Sequence, residues 1–222
     1  MLLPCVEHET GPHPTHSVIW LHGLGADGHD FGPIVPELVA PPWPALRFVF
    51  PHAPVRPVTL NGGMPMRAWF DISGVDLVSR PDEAGMRASI AAVEALIARE
   101  NERGVPDERI LLAGFSQGGA IVLSGGLRHP RKLAGIVALS TYLPMQDSFA
   151  AERHAANADT PIFWGHGTAD PIVPLTRGVQ ARDVLQSFGY RVDWHTYPMP
   201  HSVSGEEVGD LRTWMGARFA RR

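Results

Sequence analysis

The sequence is poor in cysteine, with Cys5 alone among 222 residues. A single cysteine cannot form an internal disulfide bond, so Cys5 is expected to act as a small apolar residue. The chain also has no apolar stretch of the roughly 18 residues that a membrane span requires. Its start, MLLPCVEHET, lacks the basic region of a secretory signal. These absences predict a cytoplasmic protein with no stable membrane insertion.

The chain also has no large excess of charge of either sign. The 19 Lys and Arg residues nearly balance the 23 Asp and Glu residues, which gives a formal net charge of −4. A basic stripe is the usual footprint of a nucleic-acid-binding protein, so we expect no nucleic-acid partner. No internal repeat or low-complexity linker divides the chain. We therefore predict a single domain over residues 1–222, long enough to bury roughly 70% of its unfolded surface.

Short apolar runs alternate with helical patterns along the chain. Strands are predicted over residues 16–23, 46–51, 109–114, 133–140, 160–167 and 190–198, with an edge strand in CVEHET. Helices are predicted from Pro81 to about Gly104, from 117 to about 128, over 147–158 and 174–188, and from about Ser204. Ser79 and Asp82 are the predicted cap of the first helix. Because the apolar runs do not alternate with polar residues, the strands should be covered on both faces, as in a mainly parallel sheet of an α/β fold.

A glycine-rich corner, GFSQG at residues 114–118, joins a predicted strand to a predicted helix. The pattern G-x-S-x-G at such a corner is the nucleophile elbow, in which a strained turn exposes the serine hydroxyl above the carboxyl edge of the sheet. Gly114 and Gly118 would let the strand and the helix approach each other. The bare pattern arises by chance in roughly one such chain in ten, but its place in the alternating α/β order favours Ser116 as a nucleophile.

A nucleophilic serine needs a base, and in this arrangement the acid and then the histidine follow the serine along the chain. Four histidines lie beyond the helix that carries Ser116: His154, His166, His195 and His201. His201 follows the last predicted strand, where an imidazole can reach the carboxyl ends of the strands. His166 ends a strand but precedes the best acid, and it remains the alternative. His195 is expected on the sheet surface and His154 on a polar helix.

The acid of this arrangement is predicted to be Asp170, in HGTADPIVP. It directly follows the strand 160–167 and precedes His201 in the chain. A carboxylate there would accept the Nδ1 proton of His201, fix its tautomer and stabilise the imidazolium. The alternative is that Asp170 only shapes the turn before Pro171.

Attack by a serine creates an oxyanion, which needs hydrogen-bond donors. The backbone N–H of Gln117, directly after the nucleophile, is one predicted donor. The other is the backbone N–H of Leu24, in the glycine-rich loop LHGLGADG. This loop lacks the lysine and the glycine spacing of phosphate-binding loops. Three polar residues lie in or near this loop: Asp27, His29 and Asp30. Their spacing matches no standard metal site, so we expect no metal.

Six segments of the chain together resemble the phospholipase/carboxylesterase family: VIWLHGLGADG, PVTLNGGMPMRAWFD, GFSQGGA, LSTYLP, HGTADPIVP and YPMPHSV. The resemblance runs from about Ser17 to the last helix. It implies an α/β-hydrolase fold without a large cap domain. It also implies a catalytic triad of Ser116, Asp170 and His201, with Leu24 and Gln117 as oxyanion donors. Homodimers occur among family members, so the resemblance allows one here.

An acyl-binding groove is predicted from the segment 60–73, which is bulky and apolar without a helical period. Methionine and aromatic side chains adapt to alkyl chains, so Met66 and Trp69 are candidates for its wall. Leu143 and Val173 are candidates from later loops. Phe70 is expected instead to pack the loop onto the sheet.

The sequence thus predicts a serine carboxylesterase that needs no metal or organic cofactor and acts on a small-molecule ester through an acyl-enzyme. Short- to medium-chain esters are the expected substrates, and lysophospholipids and acyl-thioesters are further candidates. Two alternatives remain: an acyl-protein thioesterase, and a non-catalytic acyl-chain binding protein of the same fold.

Overall fold

The computed structural model describes residues 2–74 and 82–219. Its strands are β1 (Cys5–Glu9), β2 (His16–Leu21), β3 (Leu46–Pro51), β4 (Val55–Val58), β5 (Met64–Arg67), β6 (Ile110–Phe115), β7 (Gly135–Leu139), β8 (Ile162–Gly167) and β9 (Val192–Tyr197). Its α-helices are α1 (Val35–Leu38), α2 (Glu83–Glu102), α3 (Gln117–Gly126), α4 (Gln146–Glu152), α5 (Leu175–Ser187) and α6 (Gly205–Phe219).

The strands build a mainly parallel sheet. Within the described residues, seven of them form one sheet in the order β1-β3-β2-β6-β7-β8-β9. The edge strand β1 runs antiparallel to β3, and the other neighbours are parallel. This confirms the α/β fold and the edge strand that the sequence predicts. The carboxyl ends of the parallel strands therefore meet along one edge of the sheet, where ligands bind in folds of this kind.

Helices cover the sheet on both faces. Successive strand residues point to opposite sides, so each strand contributes to two separate cores. Ile19 and Leu21 of β2 belong to a core that also contains apolar residues of α2, α3 and α5. Val18 and Trp20 belong to a second core, formed with α1 and α6. Burial on both faces explains why the strand segments are continuously apolar.

The predicted helix over 147–158 is too long at its end. Helix α4 stops at Glu152, and a separate 3₁₀ turn spans Ala155–Asn157. The side chain of Asn157 accepts a hydrogen bond from the backbone N–H of Leu133 and donates to two backbone carbonyls nearby. These long-range bonds, which no local pattern reveals, favour a break in the helix.

A second difference lies in the segment after β3, where the sequence predicts no regular structure. The strands β4 and β5 form a two-stranded antiparallel sheet there, in which Pro57 is paired with Pro65. Two facing prolines obscure the usual strand pattern because proline cannot donate to the ladder. Asp82 caps α2 by accepting the backbone N–H of Gly85 at 2.9 Å, while the predicted contribution of Ser79 lies outside the described residues.

Candidate active site

The corner at Ser116 has the geometry of a nucleophile elbow. Ser116 joins β6 to α3 with φ 54° and ψ −118°, a region that residues with a side chain rarely adopt. Two bonds hold this strained turn: the Ser116 N–H donates to Leu139 O at 2.9 Å, and the Thr141 hydroxyl donates to Ser116 O at 2.7 Å. Strain that neighbours maintain in this way is typical of functional sites.

The two glycines of the elbow have the steric role that the sequence predicts. A Cβ atom on Gly114 would lie 2.5 Å from the carbonyl carbon of Gly118. A Cβ atom on Gly118 would overlap the carbonyl oxygen of Leu21 at the end of β2. The strand, the helix and the neighbouring strand therefore meet too closely for any side chain at these two positions.

Asp170 and His201 form a direct pair beside this corner. His201 Nδ1 lies 2.6 Å from Asp170 Oδ2, and the Asp170 side chain is fully buried. Asp170 follows β8, and His201 lies between β9 and α6, so both loops leave the carboxyl edge of the sheet. The His201 ring also packs against Phe115, the residue before the serine, with ring centroids 4.7 Å apart. The acid, the imidazole and the elbow thus share one site.

Asp170 has the turn-shaping contacts of the alternative prediction as well. Its Oδ1 atom accepts the backbone N–H groups of Ile172 at 2.8 Å and Val173 at 2.9 Å. One carboxylate oxygen therefore builds the loop while the other faces His201. The two interpretations of this aspartate are compatible.

His166, the alternative base, lies deep in the core at the end of β8. Its Nε2 atom is 2.9 Å from Val173 O, so Nε2 carries the proton, and its Nδ1 atom accepts the Trp164 indole N–H at 3.3 Å. Burial lowers the pKa of His166, which keeps the ring neutral. With both nitrogens engaged by the protein, His166 has none left to accept a serine proton.

The other two histidines lie elsewhere. His195 is a partly exposed residue of β9 whose ring stacks on Phe163, with centroids 4.8 Å apart, and lies 3.1 Å from Asp193. His154 begins the 3₁₀ turn after α4 and accepts the backbone N–H of Ala156. Neither contacts the Asp170–His201 pair.

Two free backbone donors flank the serine. Gln117 is the first residue of α3, and Leu24 lies in the loop after β2. Within residues 2–74 and 82–219, neither of their N–H groups has a hydrogen-bond partner. Both residues line the same pocket as Ser116, so both donors border the place where an acyl group would be attacked.

That pocket has a volume of about 210 Å³ and opens beside the nucleophile. Its wall is mostly apolar and consists of Leu24, Leu60, Ile72, Ser116, Gln117, Tyr142, Pro171, Ile172 and Val173. An apolar pocket with a reactive hydroxyl at one end can hold the alkyl part of an ester.

Only one of the four predicted groove residues, Val173, lines this pocket. Trp69 and Leu143 are fully buried in the core beneath the loops, and neither contributes to the pocket wall. Met66 lies near Gly25 in the loop after β2, and its sulfur accepts the Asn61 side-chain amide at 3.3 Å. The prediction that Phe70 packs the loop onto the sheet agrees with its burial.

The sequence interpretation missed several wall residues, notably Leu60 and Ile172. Both are large, apolar and exposed, with 42% and 59% of their surface accessible. Ile172 stands between two prolines in PIVP, so an apolar side chain in a rigid surface turn was the available signal. Leu60 begins the segment 60–73 from which the groove is predicted, but its place in the wall depends on the unpredicted β4–β5 hairpin.

The described part of the chain, residues 2–74 and 82–219, contains neither a candidate metal site nor a candidate membrane-spanning helix. No group of three or more His, Cys, Asp or Glu side chains there could hold a metal ion. No helix there is long and apolar enough to cross a membrane. Asp27 accepts the backbone N–H of His29 at 2.8 Å, which is a local turn contact.

Comparison with known proteins shows which family the chain belongs to. The sequence profile of the Phospholipase/Carboxylesterase family matches residues 4–217. The chain belongs to this family. It is therefore a hydrolase with the α/β-hydrolase fold and serine esterase activity, as its sequence predicts.

Individual family relatives are similar over nearly their whole length. The acyl-protein thioesterase 1 of Cryptococcus neoformans is 40% identical over 218 residues, which cover 90% of this chain and 91% of that protein. The Neurospora crassa protein of the same name is 39% identical and covers 100% and 92%. Among solved structures, Arabidopsis thaliana SOBER1 has a TM-score of 0.86 at 33% identity, covering 91% and 98%. Zea mays acyl-protein thioesterase 2 has a TM-score of 0.82 at 28% identity, covering 97% and 99%.

Proposed function

We propose that this chain hydrolyses acyl esters and thioesters with Ser116 as nucleophile, His201 as general base and Asp170 as the acid that orients His201. The observation that carries the proposal is the 2.6 Å contact between His201 Nδ1 and Asp170 Oδ2, beside a serine held in the elbow conformation. Nucleophilic acyl transfer needs a serine, a histidine that accepts the serine proton, and a buried acid that orients the histidine.

Acylation begins when the Ser116 hydroxyl attacks the acyl carbon. His201 Nε2 takes the hydroxyl proton, because Nδ1 holds its own proton towards Asp170. The carbonyl oxygen becomes an oxyanion, which the N–H groups of Leu24 and Gln117 stabilise. The tetrahedral intermediate collapses, the carbon–oxygen or carbon–sulfur bond breaks, and His201 returns its proton to the leaving alcohol or thiol.

Deacylation repeats the same steps with water as the attacking group. His201 accepts a proton from water, and the resulting hydroxide attacks the acyl-enzyme at the same carbon. Collapse of the second intermediate releases the carboxylic acid and returns the proton to Ser116. The buried Asp170 carboxylate stabilises the imidazolium in both halves of the cycle.

The substrate that we propose has an apolar acyl chain of short to medium length. The pocket of about 210 Å³ beside Ser116 is mostly apolar, which suits an alkyl group and leaves little room for a polymer. Two relatives near 40% identity are named acyl-protein thioesterase 1, so acyl-thioesters belong in the proposed range. The proposed partner is therefore a small-molecule ester or thioester.

Location and assembly complete the proposal. We propose that the protein acts in the cytoplasm, where its one cysteine remains a free thiol. A homodimer is consistent with the family and would be detected as a doubled mass by light scattering. Neither nucleic acid nor a membrane is a proposed partner, given the net charge of −4 and the absence of a long apolar run in the sequence.

A substrate panel tests this proposal. We would measure kcat/KM for p-nitrophenyl esters and acyl-thioesters of increasing chain length, with wild-type protein and with Ser116→Ala. We expect a rise with chain length up to the end of the pocket, and a fall in kcat by a factor of about 10⁴ to 10⁶ for Ser116→Ala. Saturable acyl-chain binding without turnover would instead favour a non-catalytic binding protein.

A further inference from the structure

The side chain of Gln117, next to the nucleophile, is bound to a distant loop rather than to substrate. Its Oε1 atom accepts the backbone N–H of Trp69 at 2.7 Å, and its Nε2 atom donates to the backbone carbonyl of Phe70 at 2.7 Å. Gln117 is 2% exposed. This pair of bonds attaches the loop 69–70 to the first residue of α3, which is also the residue whose backbone N–H faces the pocket.

Trp69 extends this connection to the other side of the pocket. Its indole Nε1–H donates to the carbonyl of His22 at 2.9 Å, and the ring is completely buried. The backbone carbonyl of Trp69 also accepts a hydrogen bond from the Ser89 hydroxyl on α2. With its backbone and its indole both bonded, Trp69 holds a fixed position between the α3 helix and the loop after β2.

His22 directly precedes the peptide that carries the Leu24 donor. The His22 Nδ1–H donates to Gly23 O at 2.7 Å, while its Nε2 accepts the backbone N–H of Ala53 at 3.1 Å. Gly23 C=O and Leu24 N–H belong to one planar peptide group, so fixing the carbonyl fixes the direction of the N–H. Burial lowers the pKa of His22, which favours the neutral tautomer that makes both bonds.

We infer that Trp69 is a positioning residue for the oxyanion site, because its indole N–H couples the Leu24 loop to the helix end at Gln117. The connection runs from the Gln117 amide through the Trp69 backbone and indole to His22 O. It sets the spacing of two donors that come from separate parts of the fold, the loop after β2 and the start of α3. Hydrogen-bond donors that are already oriented before the reaction stabilise a developing oxyanion without any rearrangement of the site. This role rests on the proposed oxyanion donors and differs from groove lining.

The test removes the indole N–H with Trp69→Phe and compares kcat, KM and the inhibition constant of an acyl trifluoromethyl ketone. Such a ketone forms a tetrahedral adduct with serine and carries an oxyanion. We expect kcat to fall by a factor of about 10 to 100, less than deletion of a whole donor. KM should stay within about threefold, and the inhibition constant should rise in proportion to the loss in kcat/KM. The pH dependence of kcat/KM should keep its shape, because the His201–Asp170 pair is untouched.

Trp20→Phe is the matched control. Trp20 is as buried as Trp69, but its indole N–H has no hydrogen-bond partner among the described residues. Its replacement should leave kcat and the inhibition constant within about twofold of wild type. If Trp69→Phe does not fold, a benzothiophene side chain introduced at position 69 keeps the shape and removes only the N–H.

Two results for Trp69→Phe would overturn the inference. The first is a kcat, corrected for the fraction of active protein, that stays within about threefold of wild type. The second is a loss of kcat without a matching rise in the inhibition constant. The second would mean that Trp69 acts through general packing. Ser116→Ala checks the proposed function separately. If that variant is inactive while Trp69→Phe is fully active, the triad stands and only the positioning role fails.

Discussion

Asp170 contacts His201 with one carboxylate oxygen and its own loop with the other. Oδ2 is 2.6 Å from His201 Nδ1, whereas Oδ1 accepts two backbone N–H groups at 2.8 and 2.9 Å. The two oxygens are therefore not interchangeable. The loop contacts fix which oxygen faces the imidazole. They would therefore also fix which end of an asparagine side chain faces His201 if asparagine replaced Asp170.

Asp170→Asn should abolish most of the activity without unfolding the loop. The asparagine oxygen must stay on the two backbone N–H groups, so its NH₂ group faces His201 Nδ1. Nδ1 must then act as an acceptor, and the proton moves to Nε2, where it prevents the ring from accepting the serine proton. We expect kcat to fall by up to about 10⁴, with a melting temperature close to that of wild type. Asp183→Asn, at an exposed position on α5, is the control and should keep full activity.

The two late histidines should behave very differently. His201→Ala should reduce kcat almost as much as Ser116→Ala, because members of a triad act as one unit. His195→Ala should change kcat by less than about tenfold, since its ring stacks on Phe163 away from the site. Steady-state measurement of kcat for the two variants distinguishes the roles of the two histidines. A larger loss for His195→Ala would remove His201 from the proposed mechanism.

Ile172 should influence which acyl chains are preferred. It lines the pocket and is 59% exposed, so Ile172→Ala removes apolar wall without opening the core. We expect kcat/KM for the longest accepted ester to fall about fivefold, equivalent to about 1 kcal/mol of lost apolar contact, with little change for acetate esters. Met64→Ala is matched in exposure at 62% but lies outside the pocket wall, and its chain-length profile should overlay that of wild type. Identical profiles for all three proteins would exclude Ile172 from the acyl site.

Glu207 should make the protein less stable at alkaline pH. Its side chain is buried against Gly165, and both carboxylate oxygens lack a hydrogen-bond partner among the described residues. Burial raises its pKa to about 8 from an ordinary value of 4.5. The unfolded chain therefore releases this proton above about pH 4.5 while the folded chain retains it to about pH 8, so stability falls as pH rises between these values.

Glu207→Gln removes this titration while it keeps the size of the side chain. The variant should gain stability relative to wild type on going from pH 5 to pH 8, by a few kcal/mol. Urea unfolding of both proteins at the two pH values measures this difference. An equal effect of the substitution at pH 5 and pH 8 would mean that Glu207 is ionised in the folded protein at both.

Local patterns were sufficient for the strands of the seven-stranded sheet and for the elbow. The run LRFVFP coincides with β3, and the glycines at 114 and 118 have the close contacts that their pattern predicts. The approach of Asp170 to His201 also follows from the order of the elements, because the loops after β8 and β9 leave the same edge of the sheet. Parallel topology brings these residues together although 31 positions separate them.

The groove was less predictable because a bulky apolar residue in a loop can face either the pocket or the core. Trp69 is buried because Gln117, 48 positions away, bonds its backbone, and because His22, 47 positions away, accepts its indole N–H. Ile172 became part of the pocket wall through the turn that Asp170 builds. Neither arrangement leaves a periodic signal in the sequence.

Peptide mapping after reaction with a fluorophosphonate probe tests most directly that Ser116 is the nucleophile of this hydrolase. We expect one probe per chain, attached to the Ser116 Oγ atom, with ester hydrolysis lost in proportion to labelling and no label on Ser116→Ala. Label on a different residue, or hydrolysis that persists in fully labelled protein, would show that Ser116 is not the nucleophile.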